Sequence, residues 1–173
     1  MKAHLLGALL LAIGLPLHAQ QFITPQRDIT SISTNGMELQ MLYTDIDRNT
    51  PHTLRAITFF RANDKGPAQQ IPFEIKKRFV PALQLESGAD CAISGFRAFK
   101  TKSGLRVVYA ERDGMWADER RVNFTVLELK KNDDPETVDA PALAFREVGK
   151  VASKRNFCDV NEAMSAEAAR LFK

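Results

Sequence analysis

Short runs of β-branched and aromatic residues, separated by turn-forming residues, follow one another along most of this chain. Apolar and polar residues alternate within several runs, and this period of two is typical of a strand with one buried face. The turn Asn35-Gly36 precedes the first run, and a short gap at residues 101–104 predicts a hairpin. The predicted strands are residues 38–46, 53–62, 71–75, 92–100, 105–111, 122–130 and 143–151. We therefore expect a mainly β protein with a single antiparallel β domain, either sandwich-like or barrel-like.

Three segments fit this pattern less well. Pro72 lies inside the predicted strand 71–75. Because proline cannot donate a backbone hydrogen bond, we expect that strand at the edge of a sheet. Residues 20–32 have the composition of a short polar leader, and residues 81–86 leave strand and loop equally open.

Helical spacing occurs only near the end of the chain. Asp159 and Glu162 stand three residues apart, as in the aspartate variant of a capping box, and predict that a helix begins directly after Cys158. One face of the segment is apolar, at Val160, Met164, Ala168 and Leu171. The fold class predicted is therefore α+β, mainly β, with one C-terminal helix.

The first residues have the layout of a secretory signal peptide. Met1-Lys2 supplies the positive charge, residues 5–15 form the apolar core, and Ala19 stands where cleavage is expected. The apolar run is too short to remain as a membrane span. We expect residues 1–19 to be removed, leaving residues 20–173 as a single mature domain in the periplasm.

The mature chain has two cysteines, Cys91 and Cys158. In an oxidising compartment such a pair is expected to form a structural disulfide. The alternative is a pair of buried free thiols, which protein cores also tolerate. A disulfide here would clamp the predicted helix onto the strand that follows Cys91.

Charge and histidine content exclude two classes of function. The formal net charge of +3 falls to +2 when Lys2 leaves with the leader, and the charges are scattered evenly. A nucleic-acid-binding surface needs a basic face, so we expect no nucleic-acid partner. Since His4 and His18 also leave with the leader, His52 is the one imidazole that remains, which excludes a multi-histidine zinc site. We expect no metal and no cofactor.

Motifs for catalysis are missing from the sequence. No Ser or Thr has a Lys three positions later, and there is no Gly-x-Ser-x-Gly elbow, phosphate loop or dinucleotide fingerprint. Lys102-Ser103-Gly104 is better explained as a hairpin turn. His52 could act as a general base with Asp45 or Asp47, but no nucleophile stands at a defined spacing. We predict that the protein is not an enzyme.

A charged loop between the predicted strands 105–111 and 122–130, with Trp116 at its tip, is the best candidate for a contact surface. Its interleaved charges are typical of a solvated surface, although paired carboxylates could also perform acid–base chemistry or hold a cation such as calcium. An indole at the tip of a polar loop favours binding of a partner, and arginine forks could bind a ligand carboxylate or lie on an outer sheet face. The candidate binding residues are Arg97, Arg112, Asp113, Trp116, Asp118, Glu119 and His52.

The sequence as a whole resembles the carbapenem self-resistance proteins of the CarG type, from about residue 35 to residue 163. The resemblance is carried by Asn49-Thr50-Pro51-His52, Gly88-Ala89-Asp90-Cys91, Phe96-Arg97, Ala110-Glu111-Arg112-Asp113, Ala117-Asp118-Glu119, Val122 with Phe124, Glu128-Leu129, and Cys158-Asp159-Val160-Asn161-Glu162-Ala163. It implies a periplasmic protein that protects a carbapenem producer from its own antibiotic without being a recognised β-lactamase. Members of that family have an Asp- and Gly-rich stretch before the first strand, whereas this chain has residues 33–37, Ser-Thr-Asn-Gly-Met.

Three functional hypotheses follow from these observations. The first is an exported, non-enzymatic binding or shielding protein whose partner is a carbapenem or a cell-wall enzyme. The second is a small secreted inhibitor or envelope interaction module without an antibiotic role. The third is a hydrolase that uses His52 with a carboxylate.

Overall fold

The computed structural model describes residues 21–172, apart from residues 27, 50, 51, 53, 64, 65, 89, 115, 116 and 134–139. The predicted signal peptide and Trp116 lie outside the described residues. The strands are β1 Gln21–Ile23, β2 Asp28–Thr34, β3 Met37–Ile46, β4 Leu54–Arg61, β5 Gln69–Ile71, β6 Phe73–Ile75, β7 Arg78–Val80, β8 Leu83–Glu86, β9 Ser94–Thr101, β10 Gly104–Arg112, β11 Val122–Lys131 and β12 Leu143–Ala152. The helices are α1 Val160–Ala166 and α2 Ala168–Leu171.

The strands form two sheets that pack face to face. This confirms the predicted mainly β fold, and of the two predicted alternatives, sandwich-like and barrel-like, the fold is sandwich-like. The large sheet has the order β1-β9-β10-β11-β12-β6-β7. The small sheet has the order β2-β3-β4-β5, with β8 also paired to β4. Every pairing is antiparallel except the one between β12 and β6. Thr101 pairs with Gly104 at the β9–β10 turn, so the predicted hairpin is confirmed.

The core between the sheets contains a cluster of three buried phenylalanines. The ring centroid of Phe145, from the large sheet, lies 4.7 Å from that of Phe59 in the small sheet and 5.0 Å from that of Phe73. All three side chains are fully buried. Tyr109 also links the two sheets, because its hydroxyl donates to the carbonyl of Gln84 in β8. Burial raises the pKa of Tyr109 above its ordinary value, so this phenol stays a neutral donor.

Pro72 marks the point where the chain crosses from one sheet to the other. Ile71 ends β5 in the small sheet, and Phe73 begins β6 in the large sheet. The single strand predicted for residues 71–75 is therefore two strands. Proline lacks the donor that would continue a ladder, but its carbonyl accepts a bond from the N–H of Phe145. Ile71 and Phe73 are both buried in the core between the sheets, although Ile71 belongs to the small sheet and Phe73 to the large sheet.

The segment interpreted as a polar leader contains two strands, which corrects that expectation. β1 adds to the edge of the large sheet, and β2 pairs with β3 along its whole length. In β2 the buried positions are Thr30, Ile32 and Thr34, and the residues between them are exposed. The period of two is present, but threonine occupies two of the three inward positions and makes the segment look polar.

The C-terminal helices form a third layer on the outer face of the large sheet. Val160, Ala163 and Met164 of α1 pack with Phe99 and Phe124 of the sheet. Asp159 caps α1 by accepting from the backbone N–H groups at 161 and 162, so the predicted start directly after Cys158 is confirmed. The predicted single helix is divided at Glu167 into two short ones.

A bulge in β12 allows this strand to contribute side chains both to the core between the sheets and to the contact with the helix layer. Val126 pairs with Gly149 and Leu127 pairs with Glu147, which leaves Val148 without a partner in register. The extra residue reverses the alternation of side chains along the strand. Phe145 before the bulge therefore faces the small sheet, whereas Val151 after it packs with the helix layer.

A mutation of Glu167 can test how the helix layer is stabilised. Its buried carboxylate accepts from the Lys154 backbone N–H at 2.6 Å and from Arg170 Nη1 at 2.6 Å. These donors, the Lys154 amide above all, lower the pKa of Glu167 below its ordinary value of 4.5. As the pH falls, the Glu167 carboxylate is protonated in the unfolded chain before it is protonated in the folded chain. The stabilisation of the fold by this carboxylate is therefore present above pH 4.5 and is lost below it.

We therefore expect Glu167→Gln to lower the free energy of unfolding by about 2 kcal/mol at pH 7. The difference from the wild type should shrink as the pH falls below 4.5. Urea unfolding at several pH values measures both effects. Glu38→Gln, at an exposed position of β3, is the matched control and should change stability little. A difference between wild type and Glu167→Gln that is the same at pH 3 and pH 7 would contradict the assignment.

Candidate functional site

The charged loop after β10 is exposed in its described part. Asp113, Asp118 and Glu119 all face solvent. Asp118 forms an ion pair with Arg120 at 3.0 Å, and both side chains are more than half exposed. The described residues of the loop therefore form a solvated surface whose charges compensate one another.

Arg112 supports this loop from below. It is only 4% exposed, and its Nη1 donates to the carbonyl of Asp118. Its backbone N–H also donates to the carbonyl of Ile93. The structure thus places Arg112 beneath the loop as a positioning residue.

Arg97 lies on the face of β9 that packs against α1. Its Nη2 donates to Ser165 Oγ at 2.7 Å, and its guanidinium stands 5.9 Å from the centroid of the Phe172 ring. These contacts connect the large sheet with α1 and with the residue that follows α2. Arg97 also lines a cavity of about 330 Å³ beside β1.

His52 lies in the exposed connection between β3 and β4. Leu54, at the start of β4, pairs with Glu86, whose carbonyl accepts from the N–H of Ile93. Arg112 donates its backbone N–H to the same residue, Ile93. The β3–β4 connection, which contains His52, therefore lies at the same end of the sandwich as the charged loop. Of the predicted residues, the structure brings Arg112 and Asp118 into contact, whereas Arg97 contacts the helix layer.

The disulfide between Cys91 and Cys158 is present, and the predicted pairing is confirmed. It is surrounded by bonds that hold the start of α1 on the large sheet. Ala92 donates its N–H to Asp159 Oδ2 at 3.1 Å and accepts from the N–H of Val160 at 3.1 Å. The bridge therefore fixes the helix layer to the segment that leads into β9.

An open groove lies beside β9, at the edge of the sandwich. β1 pairs only with residues 98–100 of β9, and the chain then turns away at Pro25. The preceding part of β9 therefore faces a space of about 200 Å³. We call this space the edge groove. The residues that matter most for its chemistry are Pro25, Tyr43, Arg55, Ser87, Phe96 and Asn161.

The apolar part of the edge groove is an aromatic pair with one ring from each sheet. Tyr43 of β3 stacks on Phe96 of β9 with 6.3 Å between the ring centroids and 29° between the ring planes. The larger cavity that Arg97 lines also contains Pro25 and Phe96. The edge groove and this cavity therefore adjoin along those two residues.

The polar part of the groove contains one cation and several neutral groups. Arg55 Nε donates to Asp45 Oδ1 at 3.0 Å, which fixes the direction of the guanidinium. The Ser94 hydroxyl is already bonded, because it accepts from the Glu86 N–H and donates to the Gln84 carbonyl. The side chains of Tyr43, Ser87 and Asn161 have no hydrogen-bond partner within the described residues.

Gly95 brings the helix layer close to the groove. A Cβ atom at this position would lie 3.0 Å from Val160 Cγ2 and 3.1 Å from Asn161 Oδ1. The absence of a side chain on β9 thus allows α1 to approach closely enough for Asn161 to form one wall of the groove.

Sequence reasoning missed the edge groove. Its residues come from segments far apart in the chain, and no local spacing connects Tyr43, Arg55, Phe96 and Asn161. Of the predicted binding residues that the structure describes, Arg97 alone lines the adjoining cavity, and none lines the groove itself.

Within the described residues, no three His, Cys, Asp or Glu side chains are grouped in a way that could hold a metal ion.

No helix in the described part of the chain has both the length and the apolar character needed to cross a membrane.

Comparisons with known proteins identify the fold. No protein-family model matches the sequence, and no curated protein is significantly similar to it. Among solved structures, the crystal structure of CarG matches this one with a TM-score of 0.73 and 22% sequence identity. The match covers 88% of this chain and 99% of the other chain. The protein therefore has a CarG-like fold.

Proposed function

We propose that this protein is an exported, non-catalytic binding protein of the carbapenem self-resistance type, and that it holds a carbapenem in the edge groove. The observation that carries the proposal is the groove itself. It combines an aromatic pair with an arginine and with hydroxyl and amide groups that bond to no described residue, and a few convergent polar groups beside an aromatic surface can orient a small molecule.

The CarG-like fold and the disulfide support the remaining parts of the proposal. The fold match extends over most of the chain, as does the sequence resemblance to carbapenem self-resistance proteins. A disulfide between Cys91 and Cys158 is stable in the periplasm and would be unusual in the cytosol. The disulfide favours a role outside the cytoplasm.

The composition of the groove favours binding over turnover. The described residues that line it include neither an imidazole nor a carboxylate. Among these lining residues, the hydroxyls of Tyr43 and Ser87 therefore have no general base that could activate a nucleophile. His52 lies in the exposed β3–β4 connection and is not among these lining residues.

Calorimetric titration of the periplasmic protein with a carbapenem tests the proposal. We expect saturable heat with one site per chain, because the groove is a single site. The β-lactam absorbance should persist during long incubation with a large excess of the drug, because bound drug is released intact. An equal concentration of serum albumin is the control for non-specific binding.

Two results would contradict the proposal in different ways. Destruction of many drug molecules per protein molecule would show an enzyme. The absence of heat would contradict drug binding. Protection of purified cell-wall transpeptidases from acylation, without binding of the free drug, would instead support a shielding protein.

A further inference from the structure

We infer that the edge groove is a carboxylate site in which Arg55 binds the anion and the Tyr43–Phe96 pair holds a flat apolar body beside it. This inference deepens the proposed function and depends on it for the identity of the natural ligand. The chemical class of ligand, a molecule with one carboxylate beside an apolar ring, follows from the groove residues themselves.

The geometry of Arg55 suits an anion receptor. Its Nε bond to Asp45 fixes the plane of the guanidinium. Neither Nη nitrogen donates to a described residue, so the planar fork keeps two donors for a ligand. Two parallel N–H donors match the two oxygens of a carboxylate, a geometry that lysine cannot offer.

The charge of the groove favours an anion. Arg55 is the one charged residue among its described lining residues. Of the carboxylates near the groove, those of Asp45 and Asp159 accept hydrogen bonds from the protein. Asp45 is bound to Arg55 Nε, and Asp159 accepts from the backbone N–H groups at 92 and 161.

The remaining walls suit the body of such a ligand. Tyr43 and Phe96 present a stacked aromatic surface, and a flat apolar group gains most by packing against aromatic rings. The Ser87 hydroxyl and the Asn161 amide, which also line the groove, can bond to polar substituents of the ligand.

The test compares acids with their neutral analogues on the wild type and on Arg55→Gln. The probes are a carbapenem and its methyl ester, together with benzoate and benzamide. We expect Arg55→Gln to bind each acid about tenfold more weakly, the lower end for a charge-assisted pair because Arg55 is half exposed. The neutral analogues should bind equally to both proteins.

Arg61→Gln is the matched control. Arg61 lies on the same strand as Arg55, is exposed, and is not a described lining residue of the groove. This variant should bind all four probes as the wild type does. Thermal unfolding of Arg55→Gln should stay close to the wild type, since its ion pair with Asp45 is exposed.

The outcomes separate the inference from the proposed function. If the wild type binds acid and neutral forms equally, or if Arg55→Gln binds the acids unchanged, the carboxylate site is wrong even where carbapenem binding is confirmed. If benzoate binding depends on Arg55 but no carbapenem binds, the carboxylate site is supported and the proposed function fails. If neither acid binds, both are wrong.

Discussion

Reduction of the Cys91–Cys158 disulfide should lower the free energy of unfolding by about 4 kcal/mol. The two cysteines are 67 residues apart, so the bridge removes much of the conformational freedom of the unfolded chain. In the native state it also holds Cys158 beside the start of α1, where Asp159 bonds to Ala92. Loss of the bridge therefore removes support from the helix layer as well.

Urea unfolding with and without reductant measures this effect. The double variant Cys91→Ser with Cys158→Ser should have the stability of the reduced wild type and should not respond to reductant. This variant separates loss of the bridge from other effects of the reducing agent. Equal stability of the oxidised and reduced wild type would show that the disulfide does not stabilise the fold.

Phe145→Ala should destabilise the protein by about 4 kcal/mol, the usual cost of removing a fully buried aromatic ring. The Phe145 ring packs against Phe59 from the opposite sheet and against Phe73 from the neighbouring strand. Alanine would leave a cavity at the point where both sheets and the crossover meet. Because all three rings lie in one cluster, few surrounding atoms can move to fill it.

Phe79→Ala is the matched control for this prediction. Phe79 lies on β7, is 39% exposed, and contacts the guanidinium of Arg146 at 4.6 Å from its ring centroid. Its removal should cost less than about 1 kcal/mol, the range for an exposed cation–π contact. Urea unfolding of both variants gives the comparison. Similar losses at the two positions would contradict the placement of the core.

Local patterns in the sequence predicted most of the fold. Alternation and turn chemistry predicted β3, β4 and β9 to β12, and the capping residue Asp159 predicted the start of α1. The helix layer and the disulfide followed from the last 16 residues and from Cys91. These features depend on neighbours in sequence or on the covalent chemistry of two residues, so the sequence contains their signal directly.

Tertiary context decided the features that the sequence patterns did not predict. Thr30 and Thr34 face the core although threonine is polar, since their partners in the neighbouring strand fix the register of β2. Pro72 stands between two sheets, and nothing in residues 71–75 distinguishes such a crossover from a single edge strand. Both features depend on which strands become neighbours.

The residues of the candidate site depend even more on tertiary context, which the sequence patterns do not report. Arg97 and Arg112 were predicted as binding residues because of their chemical type, but the structure places them in contact with the helix layer and beneath the charged loop. The groove residues include Tyr43 and Arg55 from the small sheet, Phe96 from the large sheet and Asn161 from a helix. Only the packing of three layers brings these residues together, and no spacing in the sequence reports it.

The crossover at Pro72 also affects how the domain unfolds. Ile71 and Phe73, only two positions apart, fill neighbouring parts of one core while belonging to different sheets. Separation of the sheets would expose both side chains at once, so neither sheet keeps the face that it buries in the shared core. The sandwich should therefore melt as a single cooperative unit, without a stage in which one half persists alone.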